Sequence, residues 1–141
     1  MAAAARPRVA EAPLAPFAAF VQVRPKVLIV DDCRVAARNL EQLFEGRGYE
    51  VRVANDGLRG LLMSREESFD LFVIDVDLPV INGMALLESL RREPEHEDVP
   101  ILMMAARGSD DRQGALARGA NGCLSKPLRA ATLNSLVDEC C

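Results

Sequence analysis

Residues 71–84 read LFVIDVDLPVINGM. Four apolar residues, two of them β-branched, run without a break into Asp75. An apolar run this short suits a strand covered on both faces, as strands of parallel sheets are. Pro79 and Gly83 then shape a turn, so an acid closes the strand where the loop begins. Three other stretches are built alike: KVLIVDD at 26–32, ILMMA at 101–105 and the shorter GCLSK at 122–126. YEVRV at 49–53 alternates instead, which places it at a half-exposed edge.

Helical patterns separate these runs. Ala36, Leu40, Leu43 and Phe44 share one face, Leu58, Leu61 and Leu62 repeat the pattern, and Leu133, Leu136, Val137 and Cys140 form a third apolar face. Gly46 and Gly48 stop the first helix, while Gly119 and Gly122 bracket the turn into the last strand. The order βαβαβαβαβα with right-handed crossovers predicts an α/β sandwich. An alternating strand second in sequence points to a flavodoxin-like, doubly wound five-stranded parallel sheet of order 2-1-3-4-5 with five helices.

A chain of 141 residues, half apolar and 27% charged, suits one domain with a core of its own. With no Trp and one Tyr, it has almost nothing to stack on nucleic-acid bases. The net charge is −4, yet residues 1–25 hold Arg6, Arg8 and Arg24 against Glu11, so the rest is more acidic still. That disfavours a phosphate backbone and favours a divalent cation. Cys33, Cys123, Cys140 and Cys141 have no zinc-site spacing; Cys33 and Cys123 are expected to be small apolar residues in a reducing cytosol. No apolar run is long enough to span a membrane. Glu11, Pro13 and Pro16 interrupt what could pass for a signal peptide. Residues 1–25 therefore read as a flexible Ala/Pro-rich arm, with Phe17 and Phe20 as docking points, ahead of a cytoplasmic domain over 26–141.

Ligands of such a sheet sit at the carboxyl ends of its strands. Asp31 and Asp32 close the first strand, Asp75 the third, and Lys126 with Pro127 the fifth. The first and third strands are neighbours in the expected order, so the carboxylates converge. Their repulsion is relieved by a hard cation such as Mg²⁺, which takes oxygen ligands. Carboxylate nucleophile, metal and ammonium together describe phosphoryl transfer to aspartate. Any one of these acids alone would read as a helix cap; four groups in register do not.

The motifs VLIVDD, LFVIDVDLPVINGM, VPILMMAA and GANGCLSKPL resemble those of bacterial response-regulator receiver domains, across roughly 26–139. The resemblance implies Asp75 as phosphoacceptor and Lys126 as its phosphoryl contact. It implies Mg²⁺ held by Asp32 and Asp75 directly, by Asp31 mainly through a water, and by the backbone carbonyl of Asp77. Pro79, Gly83 and Pro127 match the family's turn and its Lys–Pro junction. It implies a single-domain regulator in a two-component phosphorelay, taking phosphate from a histidine kinase or histidine-phosphotransfer protein. Such a chain has no DNA-binding output domain and signals to a downstream protein by contact. The charged pairs that DNA-binding relatives use to dimerise are absent, with Thr132 and Leu136 in their places.

Two positions depart from the family. Ala105 stands where the switch hydroxyl is usual and Cys123 where the switch aromatic is usual, and neither Ser109 nor Ser125 occupies the hydroxyl position. The alternatives are a decayed receiver-fold binding module that acts without phosphorylation and, more distantly, a haloacid-dehalogenase-like phosphatase using Asp75 and Asp77. His96 is expected to be a solvated loop residue, and Arg107 to lie near the pocket mouth, either paired with Asp77 or as a solvated charge.

Overall fold

The computed structural model describes residues 23–141; residues 1–22, with Phe17 and Phe20, lie outside the described residues. The apolar runs form strands β1 (Lys26–Val30), β3 (Leu71–Asp75), β4 (Ile101–Ala105) and β5 (Gly122–Ser125), and the alternating segment forms β2 (Glu50–Ala54). Helices α1 (Arg34–Gly46), α2 (Gly57–Glu66), α3 (Gly83–Arg92), α4 (Asp111–Ala117) and α5 (Ala130–Cys140) connect and follow them. A 3-10 turn, Pro94–His96, precedes β4. All strand pairs are parallel and the order is β2-β1-β3-β4-β5, as the pattern predicts.

Alternation along each strand divides the core in two. Leu28, Val30, Phe72, Ile74 and Met103 face α2, α3 and α4; Val27, Ile29, Leu71, Val73 and Met104 face α1 and α5. The central strands β3 and β4 are buried at every position, whereas four of the five residues of β2 are half-buried. Continuous apolar runs therefore mark the middle of the sheet and the alternating run its edge.

The helices correct the sequence reading in two places. On α2 the buried residues are Gly57, Gly60, Met63 and Ser64, while Leu58 and Leu62 are each 42% exposed. The cause is close approach: an added Cβ at Gly60 would meet Val30 Cγ2 at 3.0 Å, so only a glycine face lets this helix lie so near β1. His96, expected in solvent, is 2% exposed and packs edge-on against Phe72 with ring centroids 5.3 Å apart. Pro94 starts the 3-10 turn that swings it inward. Arg91 fixes that turn from below, donating to the carbonyls of His96 and Val99 (both 2.7 Å) and Gly119 (2.9 Å), and to Asn121 Oδ1 (2.9 Å).

One backbone feature carries a stability prediction. Val80, in the loop between β3 and α3, has φ +71° and is 74% exposed. A β-branched residue in the left-handed region is strained by about 1–3 kcal/mol. Glycine removes that strain and adds chain entropy of about 0.5–1 kcal/mol. Val80→Gly is therefore expected to stabilise the domain by about 1 kcal/mol, read as a rise of a few degrees in melting temperature.

Candidate functional site

Strand register builds the site before any side chain is considered. β1 and β3 pair in step, with Val30 opposite Ile74, so the next residues on each strand are Asp31 and Asp75. Both carboxylates are buried, at 0% and 2% exposure, and Asp32 beside them is exposed. One oxygen from each of the three lies within 4.8 Å of the others. β5 ends at Ser125, and the Lys126 amide donates to the Ala105 carbonyl at 2.9 Å, which anchors the lysine backbone to the neighbouring strand. The Lys126–Pro127 peptide bond is cis.

From that anchor the Lys126 ammonium donates to Asp75 Oδ2 at 2.7 Å, and the Asp77 amide donates to Asp75 Oδ1 at 3.1 Å. Both acceptor oxygens of Asp75 are thus oriented from fixed backbone. Burial pulls the Lys126 pKa down, but the hydrogen bond and charge of Asp75, with the charge of Asp31, outweigh it and leave it raised. Asp31 is different. Its Oδ1 accepts from the Cys33 amide at 2.9 Å, but its buried Oδ2 has no partner. Burial first, then the charge of Asp75, push its pKa up against the Cys33 amide and Lys126.

The structure brings Asp31, Asp32, Asp75 and Lys126 together, with the Asp77 backbone adjoining. It does not join Arg107 to Asp77: both are exposed, and no ion pair links them among the described residues. Cys33 is a further correction. It is exposed at the N-terminal end of α1 rather than buried, because its amide is turned down to serve Asp31. Cys123 is buried as expected. Ala105 is 4% exposed and lies in register with Ser125, whose side chain is exposed. Sequence reasoning missed Arg112 of α4, which donates to the Cys123 carbonyl at 2.7 Å. A lone exposed arginine in a short helix gave no pattern from which to find it.

This set of groups stands at the carboxyl edge of a doubly wound sheet, and comparison with known proteins gives the family. The chain matches the response regulator receiver domain over residues 27–138 and belongs to that family. It is 40% identical over 115 residues to the transcriptional activator protein PfeR of Pseudomonas aeruginosa, covering 81% of this chain and 37% of that protein. It is 34% identical over 116 residues to the chemotaxis protein CheY-3 of Vibrio cholerae, covering 81% of this chain and 89% of that one. The chain thus spans less than half the length of PfeR and nearly all of CheY-3. The solved chemotaxis response regulator CheY4 of Vibrio cholerae superposes with TM-score 0.78 at 31% identity, over 84% of this chain and 99% of that one. The receiver domain of the sensor histidine kinase PA1611 of Pseudomonas aeruginosa superposes with TM-score 0.76 at 26% identity, over 82% and 96% of the two chains. That structure has a magnesium ion coordinated in its active-site cleft.

Receiver domains are signalling domains of two-component systems rather than classical enzymes, and aspartate phosphorylation and Mg²⁺ binding are typical of them. They interact with kinases or phosphotransfer proteins. Among the described residues, no helix is long and apolar enough to cross a membrane.

The residues present fit Mg²⁺. The donors are all oxygens, which suits a hard cation, and the orphaned buried Oδ2 of Asp31 is the group a cation or its water would satisfy. Asp31→Asn is therefore expected to raise the melting temperature of the metal-free protein by several degrees, by removing an uncompensated buried charge worth about 1–2 kcal/mol. The same change should remove most of the further rise that millimolar Mg²⁺ gives the wild type. Thermal melts with and without Mg²⁺ read both effects. A variant that melts lower without metal would show that Asp31 is not a strained charge.

Proposed function

We propose that this chain is a response-regulator receiver domain that accepts a phosphoryl group on Asp75 from a histidine kinase or phosphotransfer protein and signals by protein contact in the cytoplasm. The observation that carries this reading is the 2.7 Å bond from Lys126 to Asp75 within the acid cluster. Lys126 masks one lone-pair direction of Asp75 and would follow the charge onto a phosphoryl oxygen as a point-charge partner. An Asp75 oxygen forms the new bond to phosphorus while the bond from phosphorus to the donor nitrogen breaks, its electrons leaving with the imidazole. Asp32 and Asp75 would hold Mg²⁺ directly, Asp31 through a water and Asp77 through its carbonyl. When bound, the ion neutralises charge that would otherwise repel the incoming phosphoryl group. Intact-mass measurement after incubation with acetyl phosphate and Mg²⁺ tests the reading: the protein should gain one phosphoryl mass.

The switch is the second part of the proposal. Ala105 donates no side-chain hydrogen bond, and Cys123 presents no ring. The end of β5 is instead tied to β4 by the Lys126 amide on Ala105, and β5 is tied to α4 by Arg112 on Cys123. A beryllofluoride mimic of the phosphoryl group should change hydrogen exchange in the 77–83 loop and leave 105–125 nearly unchanged. Ala105→Thr supplies the missing donor and should strengthen coupling to that region by about 1–3 kcal/mol, the scale of one charge-assisted bond. Broad changes over 105–125 in the wild type would mean that another switch operates. The same two residues favour the second reading, a binding module that acts unphosphorylated. That reading gains if no mass is added.

A further inference from the structure

β2 is an outermost strand of the sheet, and its ladder to β1 fixes which of its backbone groups look outward. The Glu50 amide donates to the Pro25 carbonyl at 2.8 Å, and the Ala54 carbonyl accepts from the Asp31 amide at 3.0 Å. Backbone groups alternate sides along a strand, so the amides and carbonyls of Val51 and Val53 point away from β1. Among the described residues only Arg52 reaches them, donating to the Val51 carbonyl across a long 3.4 Å. We propose that this edge docks an extended acidic segment of another protein, which adds as a sixth strand and sets two carboxylates, two residues apart, on Arg34 and Arg38.

Charge is the first argument. Beside the edge lies a groove of about 290 Å³, walled by Arg34, Ala37, Arg38 and Glu41 on α1 and by Val51 and Val53 on β2. Both valines are half-buried and pack into the same core as α1, so a strand laid against β2 turns alternate side chains toward this groove. Arg52, at the same place, is held by Glu50 and Glu67. Arg47, Arg65 and Arg118 elsewhere each pair with a carboxylate. Arg34 and Arg38 are exposed and pair with none among the described residues. On a chain of net charge −4, two uncompensated cations on one side of a helix make a local field for carboxylates.

Spacing is the second. Arg34 and Arg38 are four residues apart, a rise of about 6 Å along α1. Side chains two apart on a strand are separated by about 6.7 Å, so two acids flanking one residue match the two arginines. As the crossover between parallel strands, α1 runs opposite to them. Arg34 and Arg38 therefore stand toward the carboxyl end of β2 and Glu41 toward its amino end. The partner's acids belong beside Val53, and its stretch beside Val51 carries none. A second copy of this chain suits the edge less well. Two β2 edges close into a dimer antiparallel, about a two-fold axis normal to the sheet. That sets both α1 helices on one face, with Arg34 and Arg38 of each turned toward those of the other, and like charges repel.

The test uses the full chain and two short peptides of valine and threonine, each carrying two glutamates. In one the glutamates are two residues apart; in the other they are three apart, which in a strand puts them on opposite faces. NMR titration should show the first peptide binding about tenfold tighter than the second. Bound, it should shift the Val51 and Val53 amide signals and slow their exchange with solvent. Arg34→Glu/Arg38→Glu changes two exposed side chains and puts an acid at the N-terminal end of α1, which the helix dipole favours. That variant should lose the first peptide and bind the version with lysines in place of glutamates. Equal affinity of the wild type for the two glutamate peptides overturns the proposal, as does binding that spares the Val51 and Val53 amides. No binding at millimolar peptide overturns it too. Protection of those two amides that grows with protein concentration alone also overturns it, because a second copy then holds the edge.

Discussion

Asp75→Asn is expected to take up no phosphoryl group from acetyl phosphate and Mg²⁺, while keeping the fold and most of its stability. The amide keeps an acceptor oxygen for the Asp77 amide, which now bonds Oδ1 at 3.1 Å, and it keeps the volume of the buried side chain. It loses the nucleophile, because a carboxamide oxygen carries no full charge and its phosphorylated form is a poor product. Two electrostatic changes oppose each other in the apo protein. Repulsion with Asp31 falls, and the Lys126 ammonium loses its counter-charge. From the acids alone, Asp75→Ala should stabilise the apo protein. Lys126 cuts that gain, though its side chain is 34% exposed and can turn to water at modest cost. Intact mass reports the chemistry and a thermal melt the fold. If Asp75→Asn gains the same acid-stable mass as the wild type, the acceptor lies elsewhere and is not this aspartate.

How much of this was legible in sequence follows from where the physics is local. Unbroken apolar runs against one alternating run gave the five strands and the edge, since burial on two faces or on one is written into every residue of a strand. Parallel pairing then brought the strand-terminal acids together, because β1 and β3 run in step with Asp31 and Asp75 next after their paired ends. What failed depended on partners distant in the chain. The leucines of α2 promised a buried face, but Gly60 against Val30 draws the helix in on its glycine side. His96 looked like a loop residue because Arg91, which pins its carbonyl, and Phe72, which takes its ring, are invisible in the motif around it. Cys33 looked apolar, but its backbone is committed to Asp31. The sequence reading gives Lys126 to a phosphoryl oxygen, but neither its bond to Asp75 nor its backbone anchoring on Ala105 is legible there.

Substitution of Gly83 should cost the fold heavily, and this residue also joins fold to site. It opens α3 behind Asn82, whose Oδ1 caps the Ala85 amide at 3.0 Å, and its own amide donates to the Val76 carbonyl at 2.8 Å. The turn after β3 is thereby pressed against the strand it has just left. A Cβ at Gly83 would overlap the Asp75 carbonyl oxygen and lie 2.7 Å from Val76 Cα. Both obstacles are backbone, so no rotamer change relieves them, and either α3 retreats from the sheet or residues 75–77 shift. Overpacking of this kind costs about 3 kcal/mol or more, which in a domain of this size lowers the melting temperature by about 10 °C. Gly46→Ala is the matching control. An added Cβ there meets nothing within 4 Å, so the same chemical change near the end of α1 should leave stability unchanged or raise it by up to about 1 kcal/mol. Gly83→Ala should also weaken Mg²⁺ binding at temperatures where the protein is still folded, because the Asp77 carbonyl and the Asp75 carboxylate both sit on the displaced segment. A Gly83→Ala protein that melts like the wild type would mean that the loop after β3 yields freely. The fixed orientation of Asp75 would then have to come from Lys126 alone.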